Sequence, residues 1–197
     1  MSLEPQDALE QATAAAIIAA GIVDPYTIDA RSCKQMYNGM PPPSCGIVFV
    51  SVWYDGQRGK GPDPGRWAYC LDQMFGLYVT ITLRAGPPFD LWIRHRIAME
   101  KLANRITTLI HRDSQDYSIT RAAQVLAGYR MSGKETSPAK PVGWVNGLGY
   151  EGWDAVQDVP AGWLHAKTES PEQVPQGISQ RLRFGQSRRI QHTDTAQ

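Results

Sequence analysis

Cysteine is scarce in this 197-residue chain: Cys33, Cys45 and Cys70 are odd in number, and none sits in a CxxC pair. This excludes a recognisable disulfide framework or zinc knuckle and suits buried free thiols in a reducing compartment. Histidine is also sparse. His95, His111, His165 and His192 form no HxH or HExxH pair, so zinc finds no ready cluster. His95 and His111 fall on one expected helix but stand more than about 20 Å apart along its axis. No run approaches the roughly 18 apolar residues that a membrane helix needs. Residues 12–20 (ATAAAIIAA) are apolar, but Glu4, Asp7 and Glu10 precede them where a signal peptide would be basic, so secretion is not expected. Excess charge is missing too. A formal net charge of +1 excludes bulk attraction of the whole molecule to a polyanion. There is no GxSxG elbow. Gly56–Gly61 (GQRGKG) fails the phosphate-loop pattern, since Gly59-Lys60 is followed by Gly61 and Tyr54 stands where the first glycine belongs. The expectation is a chain without catalysis, metal or cofactor.

What is present is glycine and proline, 18 and 14 residues, with a 42% hydrophobic fraction. That suffices for one core and leaves much of the chain for loops and arms. The strongest periodic order lies in two β-rich runs. In Gly46–Tyr54, Val48, Val50 and Val52 alternate with Phe49, Ser51 and Trp53, which suits a strand covered on both faces for part of its length. In Phe75–Arg84, Leu77, Val79, Ile81 and Leu83 alternate with Tyr78, Thr80, Thr82 and Arg84, a strand with one solvated face. The connection Asp55–Met74 is too long for a tight turn and carries four glycines and two prolines. It reads as a mobile, exposed loop.

Residues 3–20 read as a helix with Leu9, Ala16, Ile17 and Ala20 on one face, stopped at Gly21. Tyr26–Ala30 could form a short strand, and Met40–Pro43 an extended spacer. Asp90 is a plausible N-cap for an amphipathic helix over 91–112, with Ile93, Ile97, Leu102, Ile106, Leu109 and Ile110 facing the sheet. Tyr117–Ala127 is either a short helix capped by Ser118 or a strand, with helix favoured. Residues 130–177 show no clean period, and Ile178–Ile190 suits a final strand. The expected fold is therefore α+β: an antiparallel-dominated sheet with an amphipathic helix packed on it, plus long extended loops and arms. The segments are a core over 1–130, a Gly/Pro/Trp-rich arm over 131–177, and a C-terminal strand and basic tail over 178–197.

Arg58, Lys60 and Arg66 in the inter-strand loop are candidates for docking on an acidic partner. Trp144, Trp153 and Trp163 each follow a glycine at intervals of nine or ten residues. They suit anchors in a core or subunit interface, or else a platform stacking on carbohydrate or nucleotide. Arg181 and Arg183, with Arg188 and Arg189, crowd the last seventeen residues. They could meet DNA phosphates or acidic side chains of a neighbouring subunit.

The order of these segments resembles the tail terminator and neck proteins of long-tailed bacteriophages. The helix DALEQATAAAIIAAG, the strands SCGIVFVSVWYDG and FGLYVTITLRA, and the helix IRHRIAMEKLANRITTLI carry the likeness over about residues 5–125. The resemblance implies a virion structural protein that forms a ring, typically a hexamer, joining the tail tube to the head connector. DNA would pass through the lumen without sequence-specific binding, and no membrane would be involved. It also implies that the inter-strand loop reaches toward an adjacent ring while the Trp-bearing arm buries against a neighbour. The 130–177 segment departs from the compact pattern of those proteins. A small binding module with exposed Trp residues is the alternative reading.

Overall fold

A computed structural model describes residues 3–21, 27–32, 35, 47–59, 70–84, 89–128, 147–159 and 177–191. The expected spacer at 40–43, Cys33 and Cys45 lie outside these residues. The chain is α+β, as its periodicity indicates: one layer of helices covers one face of an open, mostly antiparallel sheet.

Four strands build most of the sheet. These are β1 (Thr27–Ser32), β2 (Ile47–Gly59), β3 (Cys70–Arg84) and β6 (Gly177–Gln191). β1 runs parallel to β2, whereas β2–β3 and β3–β6 are antiparallel. Beyond β6 lie β4 (Gly149–Trp153) and β5 (Gln157–Val159), which pair with successive stretches of its other edge. They act as one edge strand broken at Asp154–Val156, and a bulge between Tyr150 and Gly152 adds a further irregularity.

The valines at 48, 50 and 52 and the row Leu77, Val79, Ile81, Leu83 are buried against the helices. Each such side chain contributes about 1.5–3 kcal/mol on leaving water. Ile178, Leu182 and Phe184 of β6 continue the same apolar face. Above it lies α1 (Pro5–Ala19), resting on β1 and β2. Its buried side is Ala8, Leu9, Ala12, Thr13, Ala14 and Ile17; the small residues let the helix axis approach the sheet closely. Gly21 follows with φ +56°, the left-handed stop that favours glycine. The expected face of α1 is thus partly shifted, because Ala20 is exposed.

α2 (Phe89–His111) packs on β3, β4 and β6. Its buried stripe is Met99, Leu102, Ala103, Ile106 and Ile110. Ile97, expected on that stripe, is instead 50% exposed: it stands two residues before Met99, about 200° around the helix. The helix also begins two residues earlier than expected, so Asp90 lies within it. A single turn, α3 (Asp113–Asp116), leads through Tyr117 into α4 (Ser118–Leu126), which packs on α1. Ser118 is the first residue of α4 and does not cap it.

Two further expectations are corrected. The segment Asp55–Met74 is not a loop throughout, because Asp55–Gly59 extends β2 and Cys70–Met74 extends β3. Backbone pairing overrides the glycine at 56 by absorbing it in a register shift between Tyr54 and Gln57. The stretch 130–177 is not without order either: β4 and β5 fall inside it and complete the sheet.

Candidate functional site

The face of the sheet opposite the helices carries Arg181 and Arg183. Cross-strand pairing arranges them in rows: Trp53, Tyr78 and Arg183 in one, Ser51, Thr80 and Arg181 in the next. The guanidinium of Arg181 lies 5.1 Å from the centre of the Tyr78 ring, a cation–π contact worth about 0.5–1 kcal/mol at an exposed site. Both arginines converge on Asp154. Arg181 Nε is 4.0 Å and Arg183 Nε 3.7 Å from its carboxylate oxygens. These are partly solvated pairs at long range and contribute little to stability; their effect is to orient the guanidinium groups.

Asp154 is held in place by the break in the edge strand. Its N–H donates to the Arg181 carbonyl at 2.9 Å, and its own carbonyl accepts from Gln180 Nε2 at 3.4 Å. Arg181 and Arg183 are therefore engaged within the chain, while about half of each side chain stays open to solvent (52% and 42%).

Trp153 is 60% exposed, so within the single chain it is no core anchor. Its register partner is Leu182. Nearby, Tyr150 sets its ring edge-on to Phe184 at 5.7 Å and donates its backbone N–H to His111 Nδ1 at 3.1 Å. That bond ties the end of α2 to β4. Arg58 lies in the extension of β2, paired with Met74. Lys60, Arg66, Trp144 and Trp163 fall outside the described residues; from the candidate set the structure brings together Arg181 and Arg183 at Asp154, while Trp153, opposite Leu182, belongs to the other face at the sheet edge.

The most densely bonded polar residue was not among the candidates. Asp113 is fully buried, and its carboxylate accepts four hydrogen bonds. Oδ1 takes the N–H groups of Ile119 and Thr120 at 2.7 and 2.9 Å. Oδ2 takes the Thr120 hydroxyl at 2.6 Å and the Leu148 N–H at 2.8 Å. A carboxylate at the N-terminus of α4 satisfies orphan amides and lies favourably to the helix dipole. The chain continues, since Gln186 Nε2 donates to Thr120 Oγ1 at 2.6 Å. α3, α4 and the lead into β4 thus meet at one side chain, and β6 joins them through Thr120. Gly147 packs so closely here that a Cβ would collide with the Asp113 backbone carbonyl.

A second buried carboxylate, Glu10 of α1, accepts the Tyr54 N–H at 2.6 Å. Burial pushes the Tyr54 hydroxyl up to about 12. Neither carboxylate announces itself in the sequence, because their partners lie far along the chain. The one local clue is that Asp113 ends an amphipathic run.

Among the described residues, no group of three or more His, Cys, Asp or Glu could hold a metal ion, and no helix is long and apolar enough to cross a membrane. In comparisons with known proteins, no protein-family model matches this chain and no curated protein matches it.

Proposed function

We propose that this chain is a structural subunit of the bacteriophage head–tail interface, a tail terminator or neck ring joining the tail tube to the connector. The observation that carries the reading is the three-stranded ribbon. β2, β3 and β6 stay paired beyond the core positions Val52, Leu77 and Phe184, out to Gly59↔Gln73 and Cys70↔Gln191. Strand pairing stiffens such an extension and lets it transmit position, as a contact between stacked rings requires. The order of elements, with an N-terminal helix, the strand pair and a helix laid across the sheet, supports the same reading.

In this reading copies of the chain assemble into a ring, a hexamer by resemblance, around a lumen through which DNA passes without being read. Arg58, Lys60 and Arg66 belong to the reaching end. The exposed Trp153 belongs to the surface covered by a neighbouring copy, as do Trp144 and Trp163. Arg181 and Arg183 serve the subunit contact through their solvent-exposed halves.

The experiment joins Gln57 directly to Phe75, which are register partners, by an Asn-Gly turn in place of Arg58–Met74. Native mass spectrometry and sedimentation with purified tail tubes then compare the two proteins. The expected result is a folded variant that no longer joins tubes to connectors, against a wild type that does. A wild type that stays monomeric at all concentrations and ignores tail tubes overturns the proposal.

The exposure of Trp153 also favours a second reading, a module stacking on carbohydrate or nucleotide. Saturable quenching of tryptophan fluorescence by soluble oligosaccharides or nucleotides, lost in Trp153→Ala, would select it.

A further inference from the structure

We infer that Glu10 is a latch that fixes where the β2–β3–β6 ribbon parts from the helix-covered sheet. β1 supports β2 only as far as Ser32↔Val52. The Ser32 N–H donates to Gln35 Oε1 at 2.9 Å, and the Gln35 N–H donates to Ser32 Oγ at 3.3 Å. Two residues further along β2, where β1 has ended, the Tyr54 N–H donates to Glu10 Oε1 at 2.6 Å. A side chain from α1 thus takes over at the point where strand pairing stops.

The dislocation follows at once. Tyr54 pairs with Leu77 and Gln57 with Phe75, so β2 advances three residues while β3 advances two. One residue is extra, which makes this a β-bulge; bulges bend the strand that carries them and increase its local twist. The β3–β6 register, by contrast, runs from Arg84↔Gly177 to Cys70↔Gln191 without a shift. The break is confined to β2 and lies directly beyond the latch. Glu10 is only 4% exposed, and a buried hydrogen bond to a carboxylate is shorter and stronger than one between neutral groups. It anchors the last residue of β2 that pairs with a core residue of β3, Tyr54 opposite Leu77, and the part beyond opens as a unit of its own.

Amide hydrogen exchange on the intact protein tests this. In the wild type, the amides of Gln57–Gly59 are expected to exchange through a local opening with weak denaturant dependence. Those of Val48–Val52 should exchange only through global unfolding, with the boundary at Tyr54. Glu10→Ala should speed exchange at Tyr54 and Gln57–Gly59 about tenfold or more relative to Val48–Val52, the loss of a bond to a charged acceptor. Glu10→Gln, which keeps a carbonyl acceptor, should recover most of the protection. A single common opening for both groups in the wild type overturns the inference, whether or not Glu10→Ala folds. So does a Glu10→Ala effect that is equal on both sides of Tyr54.

Discussion

Replacing Asp113 by alanine removes the acceptor for three backbone N–H groups and one hydroxyl, all in a fully buried setting. Each donor left unsatisfied costs about 1–3 kcal/mol. Ile119 and Thr120, in the first turn of α4, can recover part of this if water reaches them. Leu148 is itself fully buried and has no such recourse. The expected loss is therefore at least about 3–5 kcal/mol, a large share of the 5–15 kcal/mol that holds a typical domain. Asp113→Asn should fall between the two, since one carbonyl oxygen survives while the new NH₂ group confronts a donor. Urea unfolding followed by circular dichroism measures both variants. Thr120→Val, alone and with Asp113→Asn, completes a double-mutant cycle. Because the Thr120 hydroxyl is both donor to Asp113 and acceptor from Gln186, the two substitutions should be non-additive. An Asp113→Ala variant within about 1 kcal/mol of the wild type refutes the reasoning, because the four bonds would then carry no net stability.

Gly147→Ala forces a Cβ against the Asp113 backbone and should cost about 2–4 kcal/mol, read as a lowered thermal midpoint. Tyr117 holds a left-handed conformation at φ 56°, which costs a non-glycine residue about 1–2 kcal/mol. Tyr117→Gly should therefore raise stability by about 0.5–1 kcal/mol after the entropy of the added glycine, and chemical denaturation would show a fall if this is wrong. Tyr54 titrates at about 12 folded against 10.0 unfolded. Between those values the unfolded chain has already released its proton, so stability is fully present below pH 10 and falls as pH rises through that window. Tyr54→Phe should abolish that part of the alkaline loss, measured as the difference in unfolding free energy at pH 9 and pH 11.5.

The sheet and its main helix were legible because their residues are sorted by face. Leu77, Val79, Ile81 and Leu83 alternate with polar neighbours, and each of the four is buried. The C-terminal strand showed the same alternation at Leu182 and Phe184. β4 and β5 escaped notice for a physical reason. Strands of five and three residues, interrupted by a bulge and containing Gly149 and Gly152, owe their form to pairing with β6 more than to their own propensity. Asp113 was hidden differently. Its donors lie six, seven and thirty-five residues further along the chain, and no local pattern encodes that convergence. Of the candidate surface, the proximity of Arg181 and Arg183 was visible as i, i+2 spacing, whereas their shared carboxylate at Asp154 was not. Glycine-rich composition suggested a loop over the whole of Asp55–Met74, but a continuous ladder with β6 holds Cys70–Met74 extended.

The place of β6 in the sheet orders events during synthesis. It lies between β3 and β4, yet about ninety residues of chain separate Arg84 from Gly177. At roughly 5–20 residues per second, a ribosome takes several seconds or more to deliver it after β3 has emerged. Until then Leu77, Val79, Ile81 and Leu83 have β2 on one side and no strand on the other, and β4 has no strand to join. Formation of the described sheet therefore waits for β6, and a chain interrupted before Gly177 would leave β3 without this partner along its whole length.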